Sequence, residues 1–308
     1  MIITTTTTVK TPTAIALGNF DGIHRGHQVV LQPIISRKSP PFYASVVSFD
    51  PHPREFFTEQ KLSLLTPKQE KADYLARLGF QQLILISFDR SLASLSPEDF
   101  VKQILVKQLQ TKIVSIGEDF RFGYQRKGTA QDLKEIASQL GIEVYVNSLH
   151  KYRDERQQLV RVSSSLIRQA LSAGEVKRAK TMLGRSYTLT GRIIKGKQIG
   201  RTIGFPTANL QVPSNKFLPR YGVYAVRVNY NNNYISGVMN IGCRPTVEGE
   251  LPTIEVHLLD WSGDLYGQTI TVSLEAFLRS EQKFNSLDDL KQQITSDCQQ
   301  AKRLLVSG

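Results

Sequence analysis

Two histidines stand three residues apart at the end of a glycine-rich stretch near the start of the chain. His24 and His27 belong to residues 18–27, GNFDGIHRGH, which follow an apolar run at residues 14–17. That run has the length of one buried strand, and residues 28–35 are typical of a helix. A strand, a tight turn and a helix start can bind phosphate, because glycine backbone and helix N-terminal N–H groups approach an anion closely. The alternative is a glycine-rich turn that carries two surface histidines.

Three further segments carry polar side chains directly after a predicted strand or at a helix start. They are residues 49–53 (FDPHP), residues 117–123 (GEDFRFG) and residues 162–168 (VSSSLIR). Ligands of parallel sheets bind beyond the carboxyl ends of the strands, so we expect all three segments at the same edge as residues 18–27. The sequence therefore predicts one phosphate site built from four segments.

Each of these three segments also has an ordinary structural explanation. The hydroxyls of residues 163–165 and the guanidinium of Arg168 could bind phosphate oxygens, but the serines could equally cap a helix. Asp119 and Arg121 could form a surface ion pair, and His52 could be a turn residue held between two prolines.

A basic, glycine-rich segment at residues 191–209, GRIIKGKQIGRTIGFPTAN, is the second place where phosphate chemistry is expected. Residues 191–198 nearly match a Walker A loop, but Gln198 stands where the magnesium-binding Ser or Thr should be. The segment continues through further glycines and a proline instead of opening a helix, which excludes a P-loop fold. We expect a flexible loop in which Lys195, Lys197 and backbone N–H groups surround phosphates. The alternative is a mobile basic loop with no ligand.

Two oxygen-bearing side chains end this segment. Thr207 and Asn209 lie two residues apart, so on an extended chain they point to the same face and offer two ligands to a hard cation such as Mg²⁺. On the predicted strand at residues 254–258, Glu255 and His257 share the face opposite to the apolar residues. A carboxylate on a barrel strand is more often a solvated surface group than a catalytic base.

The elements that position these residues change in kind near residue 183. Before it, strands that are apolar on both faces alternate with helices, which predicts an α/β domain with a parallel sheet and helices on each side. After it, short alternating runs and turn residues predict an antiparallel β-barrel, and an amphipathic helix follows over residues 286–305. The 308 residues are enough for two cores, and we expect domains at residues 1–183 and 184–308.

Composition limits the partners and the compartment. The formal net charge of +12 suggests anionic partners, which include phosphorylated small molecules, nucleic acid and acidic membranes. The charge is diffuse and is not interleaved with an aromatic set, which argues against nucleic acid. Cys243 and Cys298 have no metal-like spacing and fit a reducing cytoplasm. No apolar stretch reaches the roughly 20 residues of a membrane-spanning helix, and the N-terminus lacks a secretory signal, so we expect a soluble protein.

Together the motifs resemble those of the bacterial bifunctional riboflavin kinase/FAD synthetases. GNFDGIHRGH, FDPHP, GEDFRFG and SSSLIR are similar to the adenylyltransferase half, and GRIIKGKQIGRTIGFPTANL, GVMNIGCRPTV, EVHLLD, DLYGQ and FLRSEQKFNSLDDL to the kinase half. The resemblance implies a Rossmann-like nucleotidylyltransferase domain of the HxGH type, which makes FAD and pyrophosphate from FMN and ATP. It implies a kinase barrel that makes FMN from riboflavin and ATP. The alternative is another HxGH nucleotidylyltransferase, or an RNA-binding protein similar to class I aminoacyl-tRNA synthetases.

The resemblance also implies roles for individual residues of this sequence. The catalytic residues would be Glu255, His24, His27 and Arg168. The residues that bind ATP or its phosphates would be Gly18, Phe20, Gly26, Ser164, Ser165, Gly191, Lys197, Gly200, Gly204 and Pro206. The flavin-binding residues would be Asp119, Phe120 and Arg279. The Mg²⁺ ligands would be Thr207 and Asn209.

Two positions depart from the family pattern. Ser165 replaces a usual Thr and keeps the hydroxyl, whereas Ser280 replaces a usual Pro and could loosen the loop after Arg279. The expected cofactor is Mg²⁺, and the expected substrates and products are ATP, riboflavin, FMN and FAD. We expect no nucleic acid and no membrane among the partners, a monomer or weak homo-oligomer, and a cytoplasmic location.

Overall fold

The chain forms two compact units, which span Met1–Ser164 and Ser165–Gly308. The computed structural model describes residues 1–5, 9, 11–36, 42–153, 157–195, 204–231, 233–246 and 249–306. The sequence predicts a boundary after residue 183, so the two divisions differ in the two helices that precede the barrel. The domain boundary stays a prediction.

The first unit is built on a six-stranded parallel sheet in the order β1-β4-β3-β2-β5-β8. The strands of the first unit, including four that lie outside this sheet, are β1 (Ile2–Thr4), β2 (Thr13–Leu17), β3 (Tyr43–Asp50), β4 (Gln82–Ser87), β5 (Thr111–Gly117), β6 (Arg121–Phe122), β7 (Gly128–Thr129), β8 (Glu143–Asn147), β9 (Lys151–Arg153) and β10 (Leu159–Arg161). Its helices are α1 (Arg25–Ser36), α2 (Pro53–Thr58), α3 (Lys68–Arg77), α4 (Arg90–Ala93), α5 (Pro97–Asp99), a 3₁₀ turn (Tyr124–Arg126) and α6 (Ala130–Gln139). The strands β6 with β7, and β9 with β10, form two small antiparallel pairs.

The sheet is buried on both faces because its strands are continuously apolar. All five residues of β2 are buried, and successive side chains point to opposite faces. Ala14 and Ala16 pack with α1 and α3 in one cluster, whereas Ile15 and Leu17 pack with α6 in the other. The predicted parallel sheet with helices on each side is confirmed.

The helix that follows Ser96 begins with a regular cap and then winds more widely. The Ser96 hydroxyl accepts the Asp99 N–H at 3.0 Å, and Pro97 takes the first helical position, as the cap pattern predicts. From Phe100–Gln108 the helix is a π-helix, and the Leu109 N–H donates to the carbonyl oxygen of Ile104, five residues back, at 3.0 Å. No sequence feature explains this wider winding.

The second unit is a closed antiparallel barrel in the strand order β11-β12-β15-β14-β13-β16. Its strands are β11 (Tyr187–Ile194), β12 (Ala208–Gln211), β13 (Gly222–Tyr230), β14 (Asn233–Thr246), β15 (Gly249–Leu258) and β16 (Thr269–Arg279). Its helices are α7 (Ser164–Ala173), whose first residue ends the first unit, α8 (Val176–Leu183) and α9 (Leu287–Val306). Helix α9 packs on β13 and β14 and buries Cys298, Ala301 and Leu305 against the barrel. The predicted barrel with a C-terminal helix is confirmed.

Candidate functional site

The turn that links β2 to α1 is wound tightly enough to require unusual backbone angles. Phe20 and Ile23 have φ values of 48° and 40°, and Gly22 has a φ of 89°. Side-chain-bearing residues rarely adopt such angles, and each costs about 1–3 kcal/mol unless the surroundings hold it. The Phe20 ring is buried beneath Gly18, where an added Cβ would meet the ring at 3.2 Å. Because Gly18 has no side chain, the backbone can pass close to the Phe20 ring.

The two histidines meet at the start of α1. Their rings are stacked with centroids 3.6 Å apart, and the Nδ1 atom of His24 accepts the backbone N–H of His27 at 3.2 Å. A neutral His24 ring then carries its proton on Nε2, which makes that atom a hydrogen-bond donor. A Cβ on Gly26 would meet the His24 ring at 3.2 Å, so a side chain here would press on that ring. The predicted strand, glycine turn and helix start are confirmed, and His24 caps α1, which contains His27 in its first turn.

Three polar groups hold the turn from other parts of the first unit. The buried Asp21 carboxylate accepts the backbone N–H groups of Leu65 at 3.2 Å and Thr66 at 3.0 Å. The Thr66 hydroxyl accepts the Gly22 N–H at 2.8 Å, and the Ser164 hydroxyl donates to the Asp21 carbonyl at 2.8 Å. Asp21 is therefore a structural anchor, and Ser164 lies beside this turn.

The Asn19 side chain adds a candidate acceptor to this turn. Its Oδ1 atom is buried, and among the residues that the structure describes it has no hydrogen-bond donor. A buried acceptor without a donor costs free energy, so a ligand N–H or hydroxyl would be favoured there.

The segments after β3 and β5 lie partly as predicted. His52 caps α2, because its Nδ1 atom accepts the Arg54 N–H at 3.0 Å and its own N–H donates to Glu55 at 3.1 Å. Asp119 forms an ion pair with Arg161, so the alternative pairing with Arg121 is wrong. The reason is chain topology: β10 brings Arg161 to the loop after β5, which local sequence spacing does not reveal.

An aromatic group at the ends of β3 and β4 was missed from the sequence. The rings of Phe49, Phe56 and Phe57 each lie 5.3–5.7 Å from a neighbouring ring, with Phe88 in contact with all three. Phe57 is 68% exposed, which is unusual for a large apolar side chain. Phe120 lies on a separate aromatic pair and stacks on Phe122 at 5.8 Å. The sequence feature that could have revealed this group is the presence of phenylalanines at or soon after the ends of β3 and β4, which are neighbours in the sheet.

In the barrel, three polar side chains of adjacent strands share one face. Glu255 on β15 is paired directly with Asn209 on β12 and with Asn240 on β14. Side chains that are directly opposite across antiparallel strands have Cβ atoms about 4.5–5.5 Å apart. The Thr207 hydroxyl donates to the Glu255 carboxylate at 3.4 Å. The structure thus brings together Thr207, Asn209 and Glu255, and it adds Asn240, which the sequence reading missed.

A cavity of about 600 Å³ reaches Thr207. Its strand residues Ala208 and Val256 point to the face opposite to that of Asn209 and Glu255. Its lining includes Thr207 and Pro206, with Trp261, Asp264 and Tyr266 from the loop between β15 and β16. The Nδ1–H of His257 donates to the Pro206 carbonyl at 2.8 Å, which holds the residue before Thr207 against β15. The cavity combines aromatic walls with a polar end.

Two glycines that the sequence predicts to bind ATP phosphates in the barrel, Gly191 and Gly204, have different structural reasons to be glycine. Gly191 lies inside β11, and a Cβ there would collide with the carbonyl oxygen of Gln211 on the neighbouring strand. Gly204 has a φ of 88°, which favours glycine at the approach to Thr207. Lys197 and Gly200 lie outside the described residues.

Comparisons with known proteins match the two halves of the chain to two families. The FAD synthetase family matches residues 6–165, and the Riboflavin kinase family matches residues 183–305. A "Bifunctional riboflavin kinase/FMN adenylyltransferase" of Escherichia coli is 40% identical over 286 residues, covering 92% of this chain and 90% of the relative. A protein of the same name from Haemophilus influenzae is 38% identical, covering 94% of this chain and 93% of its own. The chain belongs to the bifunctional riboflavin kinase/FMN adenylyltransferase family.

Membership of this family confirms the function expected from the sequence. The chain phosphorylates riboflavin to FMN and adenylylates FMN to FAD, with the FAD synthetase domain first and the flavokinase domain second. Riboflavin, FMN, ATP and FAD are its substrates and products. A solved structure described as a macrolide-efflux protein from Streptococcus pneumoniae has the same fold, with a TM-score of 0.83 and 30% identity over 98% of each chain. Within the described part of this chain, no helix is long and apolar enough to cross a membrane.

Arg279, which the family pattern predicts to bind flavin, is hydrogen-bonded to the C-terminal helix α9. Arg279 donates through Nε to both carboxylate oxygens of Asp297 at 3.0 and 3.1 Å, and through Nη2 at 2.8 Å. Gln293 donates to the same carboxylate at 2.9 Å. In the loop that follows, the Ser280 hydroxyl accepts from Arg220 at 3.0 Å, so this serine is tied down by a hydrogen bond.

The remaining predicted phosphate ligands, Ser165 and Arg168, lie on α7 in the second unit. The Arg168 guanidinium lies 5.8 Å above the Phe217 ring, within the distance of a cation–π contact. Their role toward phosphate stays a prediction.

Proposed function

We propose that the barrel face formed by Thr207, Asn209 and Glu255 carries riboflavin phosphorylation. The observation that carries this proposal is the 3.4 Å approach of the Thr207 hydroxyl to the Glu255 carboxylate, with Asn209 directly opposite. Glu255 accepts the proton of the ribityl 5′-hydroxyl as that oxygen attacks the γ-phosphate of ATP. The half-buried position suits a base, because the carboxylate is partly sheltered from water yet accessible to a substrate hydroxyl.

The same face fits a magnesium ion. Thr207 and Asn209 would hold it through a hydroxyl and an amide oxygen, and the neighbouring carboxylate adds negative charge, which is the donor set that Mg²⁺ prefers. Among the described residues, no group of three or more His, Cys, Asp and Glu side chains could bind a metal, so ATP phosphates and water would complete the shell. When bound, the ion neutralises phosphate charge during transfer. The cavity beside Thr207 then takes the nucleotide, with Trp261 and Tyr266 as surfaces for a planar base.

The turn at residues 18–27 carries adenylyl transfer in the first unit. Backbone N–H groups at the start of α1 and the ring donors of His24 and His27 bind ATP phosphates, with the hydroxyl of Ser164 beside them. The FMN phosphate attacks the α-phosphorus and pyrophosphate leaves, a reaction that depends on positioning and charge stabilisation. Asn19 offers its buried acceptor to the nucleotide. Ser165 and Arg168 keep the phosphate-binding role that the family pattern implies.

Flavin binding is assigned to Asp119 and Phe120 in the first unit and to Arg279 in the barrel. The exposed ring of Phe57, backed by Phe88, is a further surface on which an isoalloxazine ring would stack in the first unit. Product analysis with mutated chains tests these assignments one by one.

The cellular setting is part of the same proposal. The chain has two cysteines, Cys243 and Cys298, without the density of a secreted disulfide scaffold, which supports a reducing cytoplasm. Diffuse positive charge supports binding of phosphorylated small molecules rather than nucleic acid, and we expect a monomer or weak homo-oligomer.

One incubation tests the proposal as a whole. The chain is mixed with riboflavin, ATP and Mg²⁺, and the flavin products are separated. FMN followed by FAD is expected, and excess EDTA should stop FMN formation. FMN formation that survives EDTA would contradict the magnesium assignment. Salt-sensitive RNA binding without ATP or flavin affinity would favour the rival RNA-binding function.

A further inference from the structure

A lysine of the first unit is buried where a helix would normally expose it. Lys71 lies on α3 beside the buried Ala72 and Leu75, and it is only 9% exposed. Its Nζ atom donates to the backbone carbonyl of Asn19 at 2.7 Å. Burial lowers the pKa of Lys71, and the nearby carboxylates of Asp21 and Asp50 oppose that change. A buried ammonium is costly unless it is paired and hydrogen-bonded, so its position calls for an explanation.

The Asn19 carbonyl that Lys71 binds stands at the entrance to the strained turn. It also accepts the Ser48 hydroxyl at 3.2 Å, so both lone pairs of this oxygen are engaged. The next residue, Phe20, has a φ of 48°. Backbone in such a conformation persists only where its neighbours hold it, because an unrestrained chain relaxes to negative φ.

Residues 65–71, which we name the clamp, bind this turn through several hydrogen bonds. Thr66 accepts the Gly22 N–H through its hydroxyl at 2.8 Å. The backbone N–H groups of Leu65 and Thr66 bind the Asp21 carboxylate. Lys71 adds a side-chain cation to these contacts. The first half of the turn, from Asn19 to Gly22, is thus bound to one short stretch of chain.

Lys71 also changes the charge behind the phosphate site. Asp21 belongs to the turn and Asp50 ends β3, and both carboxylates attract the Lys71 ammonium. Without that ammonium, their negative charge near the turn would be less compensated and would repel bound phosphates more strongly. The Lys71 ammonium therefore favours phosphate binding at the positive end of α1.

We propose that Lys71 is a positioning residue for adenylyl transfer. It fixes the turn at residues 18–27 and compensates the charge of the nearby Asp21 and Asp50 carboxylates. The proposal rests on the assignment of adenylyl transfer to this turn. Lys71 acts through the backbone of Asn19 and does not touch the substrate.

The test measures both reactions separately on the full chain. Lys71→Met should lower FMN adenylylation about 100-fold, mainly in kcat, because a small displacement of positioned groups has an effect of that size. Riboflavin phosphorylation should stay within about twofold, because the barrel lies far along the chain from Lys71. Thermal unfolding of the full chain, followed by circular dichroism, checks separately that the first unit is folded. Lys71→Arg, which keeps the charge and a donor, should recover at least about tenfold of the loss. The matched control Lys68→Met removes an exposed lysine of the same helix and should change neither reaction.

Two outcomes would overturn the proposal: full adenylylation by the Lys71→Met chain, or equal loss in the Met and Arg variants. If Lys71→Met does not fold, Thr66→Val tests the clamp at its other end, since it removes the hydroxyl that holds Gly22 and keeps the side-chain shape. Normal adenylylation by a folded Thr66→Val chain would then overturn it. His27→Ala distinguishes failure of the Lys71 proposal from failure of the adenylyl-transfer assignment. If His27→Ala cannot adenylylate FMN while Lys71→Met can, only the role of Lys71 is wrong. If both variants adenylylate FMN normally, the assignment of adenylyl transfer to the turn is wrong as well.

Discussion

Glu255 and Thr207 meet across the barrel face, with the Thr207 hydroxyl 3.4 Å from the Glu255 carboxylate. Glu255→Gln keeps the size of the side chain and its contact with Thr207 but removes the proton acceptor. We expect FMN formation to fall by about 100-fold or more, the usual contribution of a general base. Conversion of FMN to FAD should be unchanged, because the first unit is untouched. Flavin products separated after each single reaction provide the measurement.

The control for this variant is Asp288→Asn, which neutralises an exposed carboxylate in the first turn of α9. It should leave both reactions at the starting rate. Equal loss of kinase and adenylyltransferase activity in Glu255→Gln would contradict the assignment, since it would indicate a general defect.

His27 gives the converse prediction. Its ring stacks on His24 at 3.6 Å at the N-terminus of α1, where phosphate is expected. His27→Ala should lower FMN adenylylation by about 100-fold, as for the loss of one preorganised donor, and should spare riboflavin phosphorylation. The two rates, measured with FMN or riboflavin as the starting flavin, decide the question.

Gln32→Ala, at an exposed position of the same helix, is the matched control and should be silent in both reactions. The turn is not the adenylylation site if His27→Ala keeps its full rate of FAD synthesis while its kinase rate is also normal.

Sequence patterns predicted what local periodicity and turn chemistry determine. The apolar runs specify buried parallel strands, and Ser96 with Pro97 marks a helix start, because these effects act between near neighbours. Contacts between distant residues were harder to predict. Asn240 joins Glu255 through strand register, and Arg161 reaches Asp119 through a hairpin, so neither pairing follows from spacing in the chain.

The position of Lys71 in its helix could have predicted its burial from the sequence. A lysine on a helix is normally read as a solvent-facing residue, yet here it stands on the same face as Ala72 and Leu75. A charged residue on the apolar face of an amphipathic helix indicates a buried partner. The π-helix at Phe100–Gln108 had no comparable signal.

The start of the kinase part can be located with two fragments. Helix α8 packs on β11 and β16, buries Met182 and Leu183, and forms the Lys180–Glu275 ion pair at 2.8 Å. We expect fragments 184–308 and 165–308 both to phosphorylate riboflavin, because the barrel face lies within each. The longer fragment should melt about 5 °C higher or more, since it keeps the buried helix. A well-folded 165–308 fragment that cannot phosphorylate riboflavin would contradict an autonomous kinase site.

The Arg279–Asp297 pair yields a prediction about stability. Asp297 is 3% exposed and accepts three hydrogen bonds from Arg279. Asp297→Ala leaves a largely buried guanidinium without its carboxylate, so the free energy of unfolding of the barrel should fall by about 3 kcal/mol. Trp261 is the single tryptophan of the chain, and its fluorescence during urea unfolding reports on the second unit. Lys302→Ala breaks an exposed pair with Asp260 and should cost less than about 1 kcal/mol. Similar losses in the two variants would mean that the Arg279–Asp297 pair contributes no more than a surface ion pair.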